Sequence, residues 1–291
     1  MNLTDCKICP RNCGINRFTA RGFCLADSEM RVNCHQLHYW EEPVISGSKG
    51  SGTIFFSGCN MKCVYCQNYE ISQEFKGKNC SSDELVSMML ELQQKEAHNV
   101  NLVTPTHFTP QIREALVKAR NEGLNIPVVW NSNAYEKVET LRTLEGLVDI
   151  YMPDFRYWSP ESSTTYSDAP DYAEFAKSAI LEMFRQVGHL NVIGSVVASG
   201  LLIRILVLPG NLNGADKIIR WICDNTGADT YISLMGQYYP TYRAGEFSEL
   251  NRSVTRKEYS KLENLLDELG FSNGFVQKVG SDSKYTPDFQ K

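Results

Sequence analysis

The hydrophobic pattern of the chain switches repeatedly between two periods. Short apolar runs alternate with longer stretches in which apolar residues recur every three or four positions. Thr53, Ile54, Phe55 and Phe56 form the first run, and residues 99–104, 127–130, 147–152, 201–208 and 230–234 form five more. Each reads as a buried strand followed by a helix. Ser81 to Glu84 is a capping box opening a helix with Leu85, Val86, Met88, Met89 and Leu92 on its apolar side. Thr109 and Pro110 start a second, over Ile112, Ala115, Leu116 and Ala119. A third is expected over 136–144, and a fourth over 170–187, stopped by Gly188. Asn213 is expected to cap a fifth, bearing Ile218, Ile219 and Ile222. Thr255 with Glu258 opens a sixth, bearing Tyr259, Leu262 and Leu266 and closed by Gly270. Six strand–helix units in alternation predict an α/β fold with a parallel sheet and right-handed crossovers, either an open doubly wound sheet or a barrel. Residues 189–200 read as a small insert before the fifth strand, and 271–291 as a polar tail along the bottom or side.

Chemistry enters directly after the first strand. Cys59, Cys63 and Cys66 stand at C-x3-C-x2-C spacing, three soft ligands within eight residues at a strand end. Such a set suits an iron–sulfur cluster, and three thiolates leave one iron of four open for a ligand. A second group, Cys6, Cys9, Cys13 and Cys24, lies in a stretch without an apolar period. Four thiolates match a zinc tetrahedron or a second cluster, with a redox-active C-x-x-C pair as the alternative. Cys34, Cys80 and Cys223 are isolated and read as small apolar residues.

The cysteine spacing, Tyr65 before the third cysteine and the strand upstream resemble the radical S-adenosylmethionine (SAM) superfamily. Within it, residues 50–53 (Gly-Ser-Gly-Thr) and 66–68 (Cys-Gln-Asn) resemble the pyruvate formate-lyase activating enzyme group, in its PflX-type branch. The resemblance implies a partial (β/α)6 TIM-like barrel over 51–270, a cysteine-rich N-terminal extension over 1–50 and a tail over 271–291. It implies a 4Fe-4S cluster held by Cys59, Cys63 and Cys66, with SAM on the open iron. It also implies a one-electron donor such as flavodoxin or ferredoxin, and an oxidoreductase that abstracts hydrogen from a substrate. The activase likeness extends that substrate to a peptide or protein.

In parallel sheets ligands gather at the carboxyl ends of strands, so the residues there are the site candidates. The loop itself offers Tyr65, toward adenine, and Asn68. After the second strand, Thr104, Thr106 and His107 replace the family's Gly-Gly-Glu; the threonines become candidates for the SAM amino group and His107 for the substrate. Asn133 matches the Asn of an activase Thr-Asn-Gly turn. Asp154 and Arg156 match an Asp-x-Lys element near the methionine carboxylate, with Arg156 supplying a planar fork. Pro209 and Gly210 resemble the turn near adenine, and Gln237 and Tyr238 end the sixth strand as tentative substrate residues. Arg204 lies mid-strand on the face of Leu202, Leu206 and Leu208; a buried guanidinium needs a partner, and Asp154 or a substrate carboxylate is expected.

Two further stretches are ambiguous. His35, His38, Glu41 and Glu42 suit a metal or a proton relay, but a surface strand or loop leading into the barrel is favoured. The glycine-rich 47–52 lacks the lysine and the strand-to-helix order of a phosphate loop; its glycines are read as letting the backbone approach a ligand.

The formal charge of −5, from 29 basic and 34 acidic residues without a basic run, argues against nucleic-acid binding. No apolar stretch is long enough to span a membrane and no signal pattern opens the chain, so a cytoplasmic protein is expected. Ten cysteines in that setting point to metal before disulfides. The rival readings are modification of a small metabolite, and a non-catalytic metal-binding redox sensor.

Overall fold

A computed structural model describes residues 2–277. Its elements, in chain order, are β1 (Met30–His38), α1 (Pro43–Ser46), β2 (Ser51–Phe56), α2 (Tyr69–Ser72), β3 (Lys78–Cys80), α3 (Ser82–Gln94), β4 (Val100–Val103), α4 (Thr109–Asn121), β5 (Val128–Ser132), α5 (Val138–Arg142), β6 (Ile150–Pro153), α6 (Pro160–Ser167), α7 (Tyr172–Val187), β7 (Asn191–Ile193), β8 (Val196–Leu206), α8 (Ala215–Thr226), β9 (Tyr231–Met235), α9 (Arg256–Glu268) and β10 (Gly274–Val276). One sheet runs β10-β9-β8-β6-β5-β4-β2-β1-β3, with β7 beside β8. The six expected strands are β2, β4, β5, β6, β8 and β9, and all pair in parallel. β10 extends the run in parallel to β9, and β1 pairs antiparallel with β2.

The strands read as continuous apolar runs because both faces are buried. On one face Leu102, Trp130, Tyr151 and Ile203 pack against Leu116, Met183, Ile219 and Leu266 of the helices. On the other, Val129, Ile150, Met152 and Leu202 pack against Ile45 of α1 and Leu190 and Val197. Short α1 therefore plugs the second face at its lower end, and polar residues take over above it.

Several local expectations change. Residues 189–200 form a hairpin, since β7 pairs antiparallel with the first half of β8. The helix expected from 136 begins only at Val138, because the Glu136 carboxylate is buried among donors instead of capping a turn. The stretch before α7 holds the unanticipated helix α6, capped by the Ser159 hydroxyl. Asn213 does not cap α8: Gly214 stands at the cap with φ of 68°, Asn211 Oδ1 accepts from Ala215 N, and Asn213 Nδ2 donates to Leu206 O. Both capping boxes, Ser81/Glu84 and Thr255/Glu258, are present. The glycines of 47–52 meet the protein's own atoms: a Cβ on Gly50 would press on Tyr39, and one on Gly52 on the Asn99 carbonyl. Of the tail, Gly274–Val276 joins the sheet as β10; residues 278–291 lie outside the described residues.

Candidate active site

The cysteine loop leaves β2 at its carboxyl end and is braced from several sides. Gly58 takes φ of 87°, and any side chain there would collide with the Cys24 carbonyl. The backbone N–H groups of Lys62 and Val64 donate to Ser167 O and Tyr166 O at 3.0 and 2.9 Å, so α6 acts as the prop. The sulfurs have polar partners. Asn133 Nδ2 lies 3.4 Å from Cys59 Sγ, Ser167 Oγ donates to Cys63 Sγ at 2.9 Å, and Ser72 Oγ lies 3.2 Å from Cys66 Sγ. Tyr65 OH donates to Tyr157 OH at 2.6 Å, and Tyr157 continues to Ser167. Burial, then the nearby Cys63, pushes the Cys59 thiol up, and the same causes push Cys66 to about 12. Thiols pushed up in this way become thiolates only with compensating positive charge, which a metal centre supplies.

The loop opens on a cavity of about 1050 Å³ on the α1-plugged side of the sheet. Tyr65, Cys66 and Asn68 line it, with Asp154, Arg156, Arg204 and Gln237. Arg204 donates from Nε to Asp154 Oδ1 (2.8 Å), from one terminal nitrogen to Glu41 Oε2 (3.0 Å) and from the other to Asn131 Oδ1 (2.8 Å). Arg156 donates to the second oxygen of Asp154 at 2.6 Å, while its Nε is buried without a partner. Asp154 thus bridges two guanidiniums. The expected face of Arg204 holds for Leu202 and Leu206; Leu208 lies past the strand and packs among the helices.

Other candidates stand elsewhere. Thr106 donates to Glu136 Oε1 at 2.9 Å, turned away from the cavity into a knot that also takes Trp130 Nε1 and Ser132 Oγ. Thr104 is not among the lining residues; it holds φ of 57°, a strained value for a β-branched side chain. His107 is buried behind the cysteine loop, its Nε2 2.8 Å from Ser57 O, and burial pushes it down to about 3. That places it away from a substrate in the cavity. Asn133 braces the loop by donating to Asn60 Oδ1 at 2.8 Å. Gly210 N donates to Glu258, and neither Pro209 nor Gly210 lines the cavity. Tyr238 is buried with its hydroxyl on Leu250 O, edge-on to Tyr65.

The cavity also recruits residues the strand-end survey passed over: His38, Glu41, Glu42 and Ser233. The segment read as a surface strand or loop instead turns its two glutamates inward. The signal present was the pair of acids before Pro43; their burial depends on β1 folding against β2.

The N-terminal stretch packs behind the loop. Arg11 Nε donates to Asn60 O at 2.8 Å, and buried Arg17 donates to Asp27 O and His107 O. Cys13 and Cys24 sulfurs flank Gly22, and burial followed by the Cys24 charge pushes Cys9 to about 12. Among the described residues no three His, Cys, Asp or Glu side chains converge as a single-ion site. A four-iron cluster attaches its thiolates to different irons, so the loop donors need not converge on one point. Their chemistry and the orphaned Arg156 Nε fit such a cluster with a carboxylate-bearing ligand.

The fold is α/β, a parallel sheet with three thiols at one strand end beside a charged cavity. The family model of the radical SAM superfamily matches residues 53–222, and the chain belongs to that superfamily. It is 34% identical over 264 residues to "Uncharacterized protein MJ0674" of Methanocaldococcus jannaschii, covering 88% of this chain and 72% of the relative. "Uncharacterized protein MJ0808" of the same organism is 22% identical over 263 residues, covering 83% and 72%. Among the described residues no helix is long and apolar enough to cross a membrane.

Proposed function

We propose that the chain is a cytoplasmic radical SAM oxidoreductase of the activating-enzyme kind, in the PflX-type branch. In this reading the parallel run β2 to β10 is a partial barrel, and Cys59, Cys63 and Cys66 hold a 4Fe-4S cluster at its mouth. The observation that carries it is the cysteine loop opening on the same cavity as the Asp154 bridge between Arg156 and Arg204. Such a cluster, if bound and reduced, would supply the electron for splitting SAM into methionine and a 5′-deoxyadenosyl radical able to take hydrogen from a substrate. The chain's own residues bind and orient. Arg156, held by Asp154 with a spare Nε, is aimed to take the methionine carboxylate of SAM. Ser167 and Asn133 donate toward the cysteine sulfurs and so stabilise their charged form. Buried tyrosines 65, 157 and 238 make that side of the pocket dry, which protects a radical from water.

The electron donor in this reading is a flavodoxin or ferredoxin, and the substrate a peptide or protein. Exposed Tyr39 and Trp40 at the cavity mouth support a large partner. Of the two readings of the N-terminal cysteines, a second cluster is proposed over zinc, since no three of them converge on one point. The test is anaerobic. Protein reconstituted with iron and sulfide receives dithionite and SAM, and 5′-deoxyadenosine is assayed against a variant with Cys59, Cys63 and Cys66 all changed to alanine. Cysteine-dependent product supports the reading; its absence from protein with a full, reducible cluster refutes it and favours a redox sensor.

A further inference from the structure

The cavity floor carries more acid than base. Three carboxylates, Glu41, Glu42 and Asp154, face two guanidiniums, Arg156 and Arg204, and no lysine lines the cavity among the described residues. Both guanidiniums bind Asp154, and Arg204 also takes Glu41. Glu42 is left over. It is 8% exposed, its Oε2 is buried without a hydrogen-bond partner, and it makes no cap to α1 although it stands at the cap position. Ser233 is fully buried on β9; its Oγ faces the Glu42 carboxylate and helps lower its pKa, yet no well-formed hydrogen bond satisfies either group. Ser233 pairs in register with Arg204, which puts both side chains on the cavity face. His38 adds no positive charge, since burial and then Arg204 hold its pKa below the usual imidazole value.

An unsatisfied buried acceptor is costly, and a carboxylate on a cavity wall with only a poorly aligned serine hydroxyl beside it marks a place for a further donor. A carboxylate accepts only, and an ammonium donates three times and accepts never. Leu206, Met235 and Phe275 line the wall nearby and would cover methylenes. We propose that Glu42 and Ser233 form a subsite for the protonated amine of an aminoalkyl group on the molecule from which hydrogen is removed. This rests on the reading of the cavity as the reaction chamber. It makes Glu42 a specificity-determining residue, distinct from the Arg156 side where SAM is placed. Burial, the largest influence on Glu42, pushes its carboxyl up; Arg204 pulls it back without an ion pair, and a cation bound directly would add to that pull.

The probe is n-butylammonium against the neutral n-butanol, with anaerobically reconstituted full-length protein and calorimetric or saturation-transfer readout. The wild type is expected to bind the ammonium more tightly by about tenfold, the worth of one charge-assisted hydrogen bond. Glu42→Gln is expected to erase the preference, and Ser233→Ala, a milder change, to reduce it. Saturating SAM is expected to leave the ammonium bound. No preference in the wild type, or a preference surviving in Glu42→Gln, overturns the proposal. So does displacement of the ammonium by SAM, which would assign the floor to the SAM amine. Retained ammonium preference with no 5′-deoxyadenosine from reconstituted protein would sink the radical reading and leave the subsite standing.

Discussion

Replacing Arg204 by methionine removes a guanidinium while keeping an unbranched chain of similar reach. The guanidinium donates to Asp154, Glu41 and Asn131 at 2.8, 3.0 and 2.8 Å, with 13% of its side chain exposed. Its loss leaves Glu41 and Glu42 with no cation and Asp154 with Arg156 alone. Breaking a buried ionic network costs ~3–5 kcal/mol, and the 13% exposure of Arg204 argues for the lower end, about 3 kcal/mol at neutral pH. The pH dependence follows from Glu41. Burial already raises its pKa, against the opposing pull of Arg204, and the substitution removes that pull. A carboxyl with a raised folded pKa binds more protons folded than unfolded, so its contribution is present below the unfolded value and lost as pH rises. The Arg204→Met variant is therefore expected to lose least near pH 5 and most near pH 8. Urea unfolding under anaerobic conditions measures this, with unchanged m-values as the check that the unfolded state is the same. A loss below 1 kcal/mol at pH 8, or a larger loss at pH 5, would refute the ionic account of the cavity floor.

Further consequences are open to measurement. Cys63→Ala is expected to abolish SAM cleavage and lower the iron content, since only two loop thiolates remain; the 5′-deoxyadenosine assay and iron analysis decide it. Glu136→Ala strands three donors, Thr106 Oγ1, Trp130 Nε1 and Ser132 Oγ, and is expected to cost ~2–4 kcal/mol in denaturant unfolding. His107, pushed down to about 3 by burial, should show no imidazole titration by NMR between pH 5 and 8. Its folded pKa lies below the unfolded value, so it costs stability as pH falls below ~6.5. His107→Gln is expected to flatten that acid limb of the stability profile.

How far the sequence carried depended on the range of each interaction. The six parallel strands, both capping boxes and the cysteine loop are legible because periodicity, caps and ligand spacing act over a few residues. Arg204 was legible as a buried cation in need of a partner, and Asp154 was among the candidates. Its other partners were not: Glu41 lies 163 positions away and Asn131 73. α6 was missed because its sequence, Pro-Glu-Ser-Ser-Thr-Thr-Tyr-Ser, has no apolar stripe; it exists because it props the cysteine loop. Thr106 and His107 looked like mouth residues by position, and burial turned both inward.

By itself, then, the sequence determined the alternating α/β order and the three-thiol loop, since local patterning suffices for both. The tertiary structure alone decided which polar side chains share the cavity. Glu41 and Glu42 enter it only because β1 closes on β2 and α1 plugs the sheet, and Ser233 only because the register of β9 on β8 sets it beside Arg204. Glu41 and Arg204 stand 163 positions apart, several hundred ångströms along an extended chain, and no local pattern encodes their meeting.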